Sequence, residues 1–231
     1  MKIGIIGAGH IGSVLARRFT ELGHEVSIAN SRGPDTLADV ATQTGATAVT
    51  AEQAAHADDV VVVTIPMRNV PDLGIGLFEG VPESVVVIDT CNYYPQQRDG
   101  RIDGIELGLA ESRWVAQQLG RPVVKAFNNI YADHLGTKGK PSGSSDRIAL
   151  PYAGDDDAAK SRVAGLIDEL GFDPVDDGTL EESWRQQPGS LVYGTDYDTL
   201  GVRKALEAAS PQRKPEWKAT SDSPGTLDKP A

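Results

Sequence analysis

The segment Lys2-Ile3-Gly4-Ile5-Ile6 runs directly into Gly7-Ala8-Gly9-His10-Ile11-Gly12, and a helical pattern follows over residues 11–22, closed by Gly23. A strand, a G-x-G-x-x-G turn and a helix in that order constrain the fold more than any other feature of the chain. Gly7 admits the tight turn, Gly9 lets the backbone come close to a pyrophosphate, and Gly12 lets the helix lie close on the strand. The helix amino terminus then offers unpaired N–H groups to the phosphates. His10 is expected to contribute its backbone N–H rather than its imidazole, because such loops bind phosphate through amides. The motif in this setting implies a bound dinucleotide.

The next strand, over residues 25–29, ends in Asn30-Ser31-Arg32. An Asp or Glu here would accept the ribose 2′-hydroxyl of NAD and repel a 2′-phosphate, and no carboxylate is present. Asn30 and Ser31 can donate to phosphate oxygens, while Arg32 brings a fixed charge on a planar fork of donors. NADP(H) is therefore the expected cofactor.

Strand and helix patterns go on alternating. A helix is read over 34–44, a strand over 46–50, a helix over 52–57, and strands over 59–66, 84–89 and 122–127, with a helix over 106–119 between the last two. The β-branched run at Val60-Val61-Val62-Val63 is what a strand buried on both faces looks like. The class is α/β, a doubly wound Rossmann-type, mostly parallel sheet with a small C-terminal appendage. After a loop over 136–146 come a strand at 147–154, a helix capped by Asp155 and running to Leu170, and a strand at 172–177. The expected organisation is an extended NADP-binding domain over 1–178, a short cap over 179–210 with a helix at 199–209, and a flexible or partner-docking tail over 211–231.

Asp and Glu number 33 against 22 Lys and Arg, a net charge of −11, which argues against nucleic acid as a partner. The longest apolar stretch, residues 60–67, is far short of the ~20 needed to span a membrane. With the first strand starting at once and a single cysteine, Cys91, the expected location is cytoplasmic. Asp155-Asp156-Asp157 is read as a cap and dipole-complementing first turn, and no metal is expected.

The ordered set of glycine turn, Ser31-Arg32, Thr64-Ile65-Pro66, Gly154-Asp155-Asp156-Asp157 and the segment Asp173 to Leu180 resembles the NADP oxidoreductases that use coenzyme F420, a deazaflavin, and related NADPH reductases. The similarity spans most of residues 1–194. It implies hydride transfer between nicotinamide C4 and a planar acceptor such as F420 or a flavin, with the rings stacked beyond the carboxyl ends of the strands. It places Ala8 to Ile11 at the pyrophosphate, Ser31 and Arg32 at the 2′-phosphate, and Thr64, Ile65 and Pro66 along the cofactor. Two segments depart from the family pattern. Thr90-Cys91-Asn92-Tyr93-Tyr94-Pro95 is more polar and aromatic, and Asn128-Asn129-Ile130-Tyr131 stands where a histidine is often found. Both should face the acceptor, and Asn92 is counted with the cofactor contacts.

Hydride transfer needs two rings held close and water excluded, not a nucleophile on the protein. Asn128 and Asn129 either hold the nicotinamide carboxamide or acceptor carbonyls, or cap their loop. Cys91 is read as a small buried residue. His134 is the acid/base candidate if the acceptor needs a proton. Trp184, Tyr193 and Tyr197 either wall a flat acceptor or pack the cap onto the sheet. Two other functions fit the same amino-terminal half: reduction of a small carbonyl or imine, and a redox sensor that binds NADPH without turnover. The expected partners are a small-molecule acceptor and a second copy in a homodimer.

Overall fold

A computed structural model describes residues 1–231. Strands β1 (Lys2–Ile6), β2 (Glu25–Ala29), β3 (Thr47–Ala48), β4 (Val60–Val63), β5 (Val86–Asp89) and β6 (Val124–Lys125) pair in parallel in the order β3-β2-β1-β4-β5-β6. The order reverses between β1 and β4, which opens a crevice at their carboxyl ends. The valine run follows from period-2 geometry. Val60 and Val62 join Ile3, Ile5 and Ile88 in one core, while Val61 and Val63 join Ile6, Val85 and Val87 in the other.

Eight helices follow in chain order: α1 (His10–Glu21), α2 (Ala38–Thr44), α3 (Ala51–Ala55), α4 (Asp103–Glu106), α5 (Glu111–Leu119), α6 (Ala132–Thr137), α7 (Asp157–Glu169) and α8 (Thr199–Glu207). The first core takes Leu15 and Phe19 from α1, Leu135 from α6, and Val163, Leu166 and Ile167 from α7. The second takes Ala54 and Ala55 from α3, and Val115 and Leu119 from α5. A parallel pair, β7 (Ala149–Tyr152) and β8 (Asp173–Asp176), forms a second small sheet, joined to the first by one antiparallel bridge between Lys125 and Ala153. The first core nevertheless runs continuously from Ile3 to Phe172, beneath both sheets. Arg18 of α1 tightens the seam by donating to the carbonyls of Leu135 at 3.2 Å and Leu170 at 2.9 Å, which lie in α6 and just past α7. Packing α8 onto β7 and β8 buries a third cluster, including Val175, Val192 and Val202.

Several expectations change in detail. The helix over 34–44 opens as a 3-10 turn, Pro34–Leu37, before α2. Gly108, at φ 107°, splits the helix over 106–119 into α4 and α5. Asp156, not Asp155, caps α7 by accepting the Ala159 N–H at 2.6 Å. Asp155 instead accepts the Leu180 N–H at 2.9 Å and pairs with Arg113, because the helix starts one residue later than its acidic run suggests. Residues 211–231, expected as a flexible or partner-docking tail, lie against their own chain. Gln96 Nε2 donates to the carbonyls of Pro215 at 3.0 Å and Lys218 at 2.8 Å, and Arg213 pairs with Glu111. These anchors are polar and aromatic, so an apolar count misses them. No helix is long and apolar enough to cross a membrane.

Candidate active site at the sheet crevice

A cleft of about 1180 Å³ opens where β1, β2 and β4 end, lined among others by Gly7, Ala8, Gly9, Ser31, Arg32 and Thr64. Gly7 has φ 121°, and a Cβ there would sit 2.1 Å from the Thr64 carbonyl oxygen. A Cβ on Gly12 would come within 1.9 Å of the Gly7 carbonyl oxygen, so this glycine sets how closely α1 lies on the turn. At Gly9 a Cβ would meet nothing within 4 Å, leaving that face of the loop open to a ligand. Gly9 is also the N-cap of α1, with no side-chain cap and no acidic residue in the first turn. The amino-terminal N–H groups and the positive end of the helix dipole are thus left for an anion. His10 is exposed on the first helical turn, and Ile11 packs toward the first core.

At the end of β2 the three polar residues divide their work. Asn30 Oδ1 accepts the Arg32 N–H at 2.9 Å and its Nδ2 donates to Thr36 Oγ1 at 2.9 Å, so this side chain shapes the turn. Ser31 and Arg32 are exposed on the cleft, and the Arg32 guanidinium has no carboxylate partner. Thr64, Ile65 and Pro66 leave β4 to form the opposite wall. Leu37, Val40, Ala51 and His56 line the outer end. Nothing in their local sequence marks them; they meet only because α2 and α3 flank the crevice.

The asparagines lie beyond β5 and β6 and do not line this cleft. Asn92 Nδ2 donates to the Asn128 carbonyl at 2.9 Å, and Asn128 Nδ2 donates to Asn92 Oδ1 at 3.1 Å and to the Gln186 carbonyl at 2.7 Å. Asn128 is 4% exposed, and its Oδ1 has no partner. Asn129 is buried with both side-chain polar atoms unpartnered, and its carbonyl accepts the Gly194 N–H at 2.8 Å. Beneath this layer, Lys125 Nζ stands 3.2 Å from Asp89 Oδ2, which also accepts from Ser112 Oγ at 2.6 Å. This buried ion pair at the ends of β5 and β6 escaped sequence reasoning, since its members are far apart in the chain.

His134 is not brought to the cleft. Its Nδ1 lies 2.7 Å from Asp196 Oδ1, Lys138 engages the same carboxylate at 2.6 Å, and the ring meets Tyr131 edge-on at 5.4 Å. The reason is that α6 packs on α1 and turns His134 toward the loop before α8. Cys91 is buried, with Sγ 3.7 Å from the Val63 carbonyl, and burial reinforced by the Asp89 carboxylate pushes its thiol well up. It is no nucleophile in that state. Of the three aromatic residues singled out beyond β8, Tyr193 alone lies beside the asparagine pair. Its hydroxyl contacts that of Tyr94, and burial, followed by the nearby Tyr94, pushes its pKa up and makes it a weaker acid. Trp184 packs under Arg185, and Tyr197 is exposed.

These residues fit NADP(H): an open glycine face, an uncapped helix start and an uncompensated arginine where a 2′-phosphate would lie. Fold and crevice together define a Rossmann-type dinucleotide-binding protein whose cleft suits NADP(H). Residues 2–93 match the family described as NADP oxidoreductase, coenzyme F420-dependent. The chain belongs to that family. It is 34% identical to the hypothetical protein SMa0349 of Sinorhizobium meliloti, with a TM-score of 0.73 over 85% of this chain and 95% of that one. A structure from Arthrobacter sp. FB24, provisionally described as an F420-dependent NADP-reductase, shares the fold at 24% identity and a TM-score of 0.63, over 78% and 86% of the two chains. The Escherichia coli K12 protein YjhV is 41% identical over 89 residues, which is 38% of this chain and 58% of that protein. The match thus spans little more than half the length of this curated relative.

Proposed function

We propose that this protein transfers hydride between NADP(H) and a planar acceptor, the deazaflavin F420 first and a flavin next. The observation that carries the reading is Asn128: its amide nitrogen is committed twice, while Oδ1 is buried without a donor. A buried acceptor left unpaired costs about 1–3 kcal/mol, and the carboxamide N–H of a nicotinamide would supply the missing donor. Asn92 holds the Asn128 amide in that orientation, and Asn129 adds further unpartnered polar atoms alongside.

In this assignment Ala8, Gly9, His10 and Ile11 present backbone N–H groups to the pyrophosphate, with Gly7 and Gly12 keeping turn and helix close enough to do so. Ser31 and Arg32 bind the 2′-phosphate on a turn built by Asn30. Thr64, Ile65 and Pro66 keep water from the middle of the cofactor. Bound NADPH supplies the hydride from C4 of its nicotinamide. The protein orients that ring and excludes solvent, which is the larger part of catalysis for such a transfer. His134, held by Asp196 outside the cleft, has no part in this assignment.

Support for a flat acceptor comes from the family and from the Tyr94 and Tyr193 rings beside the asparagine pair. A cytoplasmic location and a homodimer belong to the same proposal. The first rests on one buried thiol, the second on exposed apolar side chains such as Leu191 and Leu200. The deciding experiment follows NADPH absorbance while F420, FMN, FAD and small carbonyls are added in turn. Fastest oxidation with F420 is expected. Oxidation by carbonyls alone overturns the reading, and tight NADPH binding with no turnover marks a sensor.

A further inference from the structure

We infer that the rings of Tyr94 and Tyr193 form the seat of the planar acceptor, and that Trp217 covers this seat in the resting chain and leaves when acceptor binds. The inference rests on the hydride-transfer reading above. Asn92 Nδ2 reaches the Tyr193 hydroxyl at 3.4 Å, and that hydroxyl meets the one on Tyr94. The two rings are therefore the next layer outward from the amides assigned to the nicotinamide. Against them lies the Trp217 indole, its centroid 6.1 Å from Tyr94 and 6.2 Å from Tyr193. None of the principal cavities is lined by Asn92, Tyr94, Asn128 or Tyr193. A flat ring can reach the nicotinamide from this side only if something gives way.

Of the three rings, Trp217 alone stands on the segment after residue 210 rather than on the body of the fold. It stands on a short turn, Pro215–Trp217, in a segment that is mostly exposed from residue 214 onward. Its neighbours are tied by polar contacts that water can replace: Gln96 Nε2 to the two carbonyls already described, and the Ala219 N–H to Glu106 Oε1 at 2.9 Å. Just upstream the chain is pinned, because Arg213 pairs with the fully buried Glu111 and donates to Gln187 Oε1 at 2.7 Å. A pinned residue followed by a loosely tied aromatic makes Lys214 and Pro215 the pivot.

The resting place of the indole is built for it. Gly189 has φ 87°, and a Cβ there would lie 2.5 Å from the indole Cδ1. The body of the protein thus carries a notch for a flat fused ring against two tyrosines. A deazaflavin or flavin is also flat and fused, and it gains the same offset and edge contacts with those rings. Covering the seat with the chain's own tryptophan keeps water off the site until an acceptor competes for it.

The test uses the full-length protein with NADPH, and F420 and FMN as probes. A site available only part of the time weakens apparent affinity by the open fraction. Trp217→Ala should lower the KM for either acceptor by roughly tenfold while leaving NADPH affinity unchanged. Gln96→Ala, which loosens the segment without altering a ring, should shift KM the same way by less. Trp217→Phe should retain most of the cover. Acrylamide quenching, taken as the difference between wild type and Trp217→Phe, should rise when FMN is added to the NADP⁺-loaded protein. An unchanged or raised KM in Trp217→Ala, with FMN still reduced, overturns the cover and leaves the hydride-transfer reading standing. Failure of wild type and all variants to bind or reduce any planar acceptor overturns both.

Discussion

Arg32 is the residue on which cofactor choice depends most directly. It has no carboxylate partner, so its charge is available to a ligand and its removal should leave the fold untouched. Hydrogen bonds to charged groups contribute about 1.5–3 kcal/mol, so Arg32→Ala should weaken NADPH binding by about 10- to 100-fold and NADH binding very little. Titration of both nucleotides against both proteins checks this, and equal losses would remove Arg32 from the 2′-phosphate site. Asp177 offers a different test. Burial raises its carboxyl to about 7, and Arg185 at 3.6 Å offsets this only in part. The folded chain therefore holds that proton more tightly than the unfolded chain. The resulting stabilisation is complete below about pH 4 and is lost as pH rises through about 7. Asp177→Asn should flatten the melting temperature over that window relative to wild type. The place of Ser31 and Arg32 on the cleft was legible in the sequence because it depends only on their position at the end of β2. The Lys125–Asp89 pair was not, since nothing local ties a lysine in one strand to an aspartate in another.

Elements were legible where burial alone sets the pattern. The four apolar or β-branched runs that became β1, β4, β5 and β6 are covered on both faces, so their composition speaks for them. The cleft's glycine turn was equally plain, because both of its neighbours could be named. Where a boundary hangs on one backbone angle, as at Gly108, or where a helix is as short as α6, periodicity has too few residues to act on. The contacts of the segment after residue 210 are not legible in the sequence for a further reason: they are single polar and aromatic contacts to residues far away in the chain. Arg213 makes the strongest of them. Removing it strands the fully buried Glu111 carboxylate, whose proton affinity burial already raises and Arg213 chiefly restrains. Arg213→Ala should cost about 3 kcal/mol. The Glu111 carboxyl then takes up a proton more readily, so the loss is smaller in acid than above neutrality. Denaturant unfolding of both proteins at about pH 5 and about pH 8 would show it, and a loss independent of pH would contradict the pairing.

For the molecule as a whole, a ligand that binds only the folded chain adds stability in proportion to its affinity. NADPH at about a hundred times its dissociation constant should add about 2.7 kcal/mol, roughly 5–10 °C in melting temperature for a chain of this size, with NADH at the same concentration giving less. Net charge, which argued against nucleic acid, has no bearing on this choice, since the discriminating contact is a single loop. The continuous core from Ile3 to Phe172 has a consequence for how such a protein can be cut or shuffled. The stretch carrying the family signature, residues 2–93, shares Leu15, Phe19 and Val62 with Leu135, Leu166 and Phe172, and Arg18 caps carbonyls on the far side of the same seam. A fragment ending at residue 128 would leave that face of the sheet wet, and it should melt without a cooperative transition even with NADPH present. A chimera joining this cofactor half to the rear half of a relative would have to inherit matching surfaces on α1, α6 and α7. The cofactor motif travels between proteins as a sequence, but here it is not a portable module.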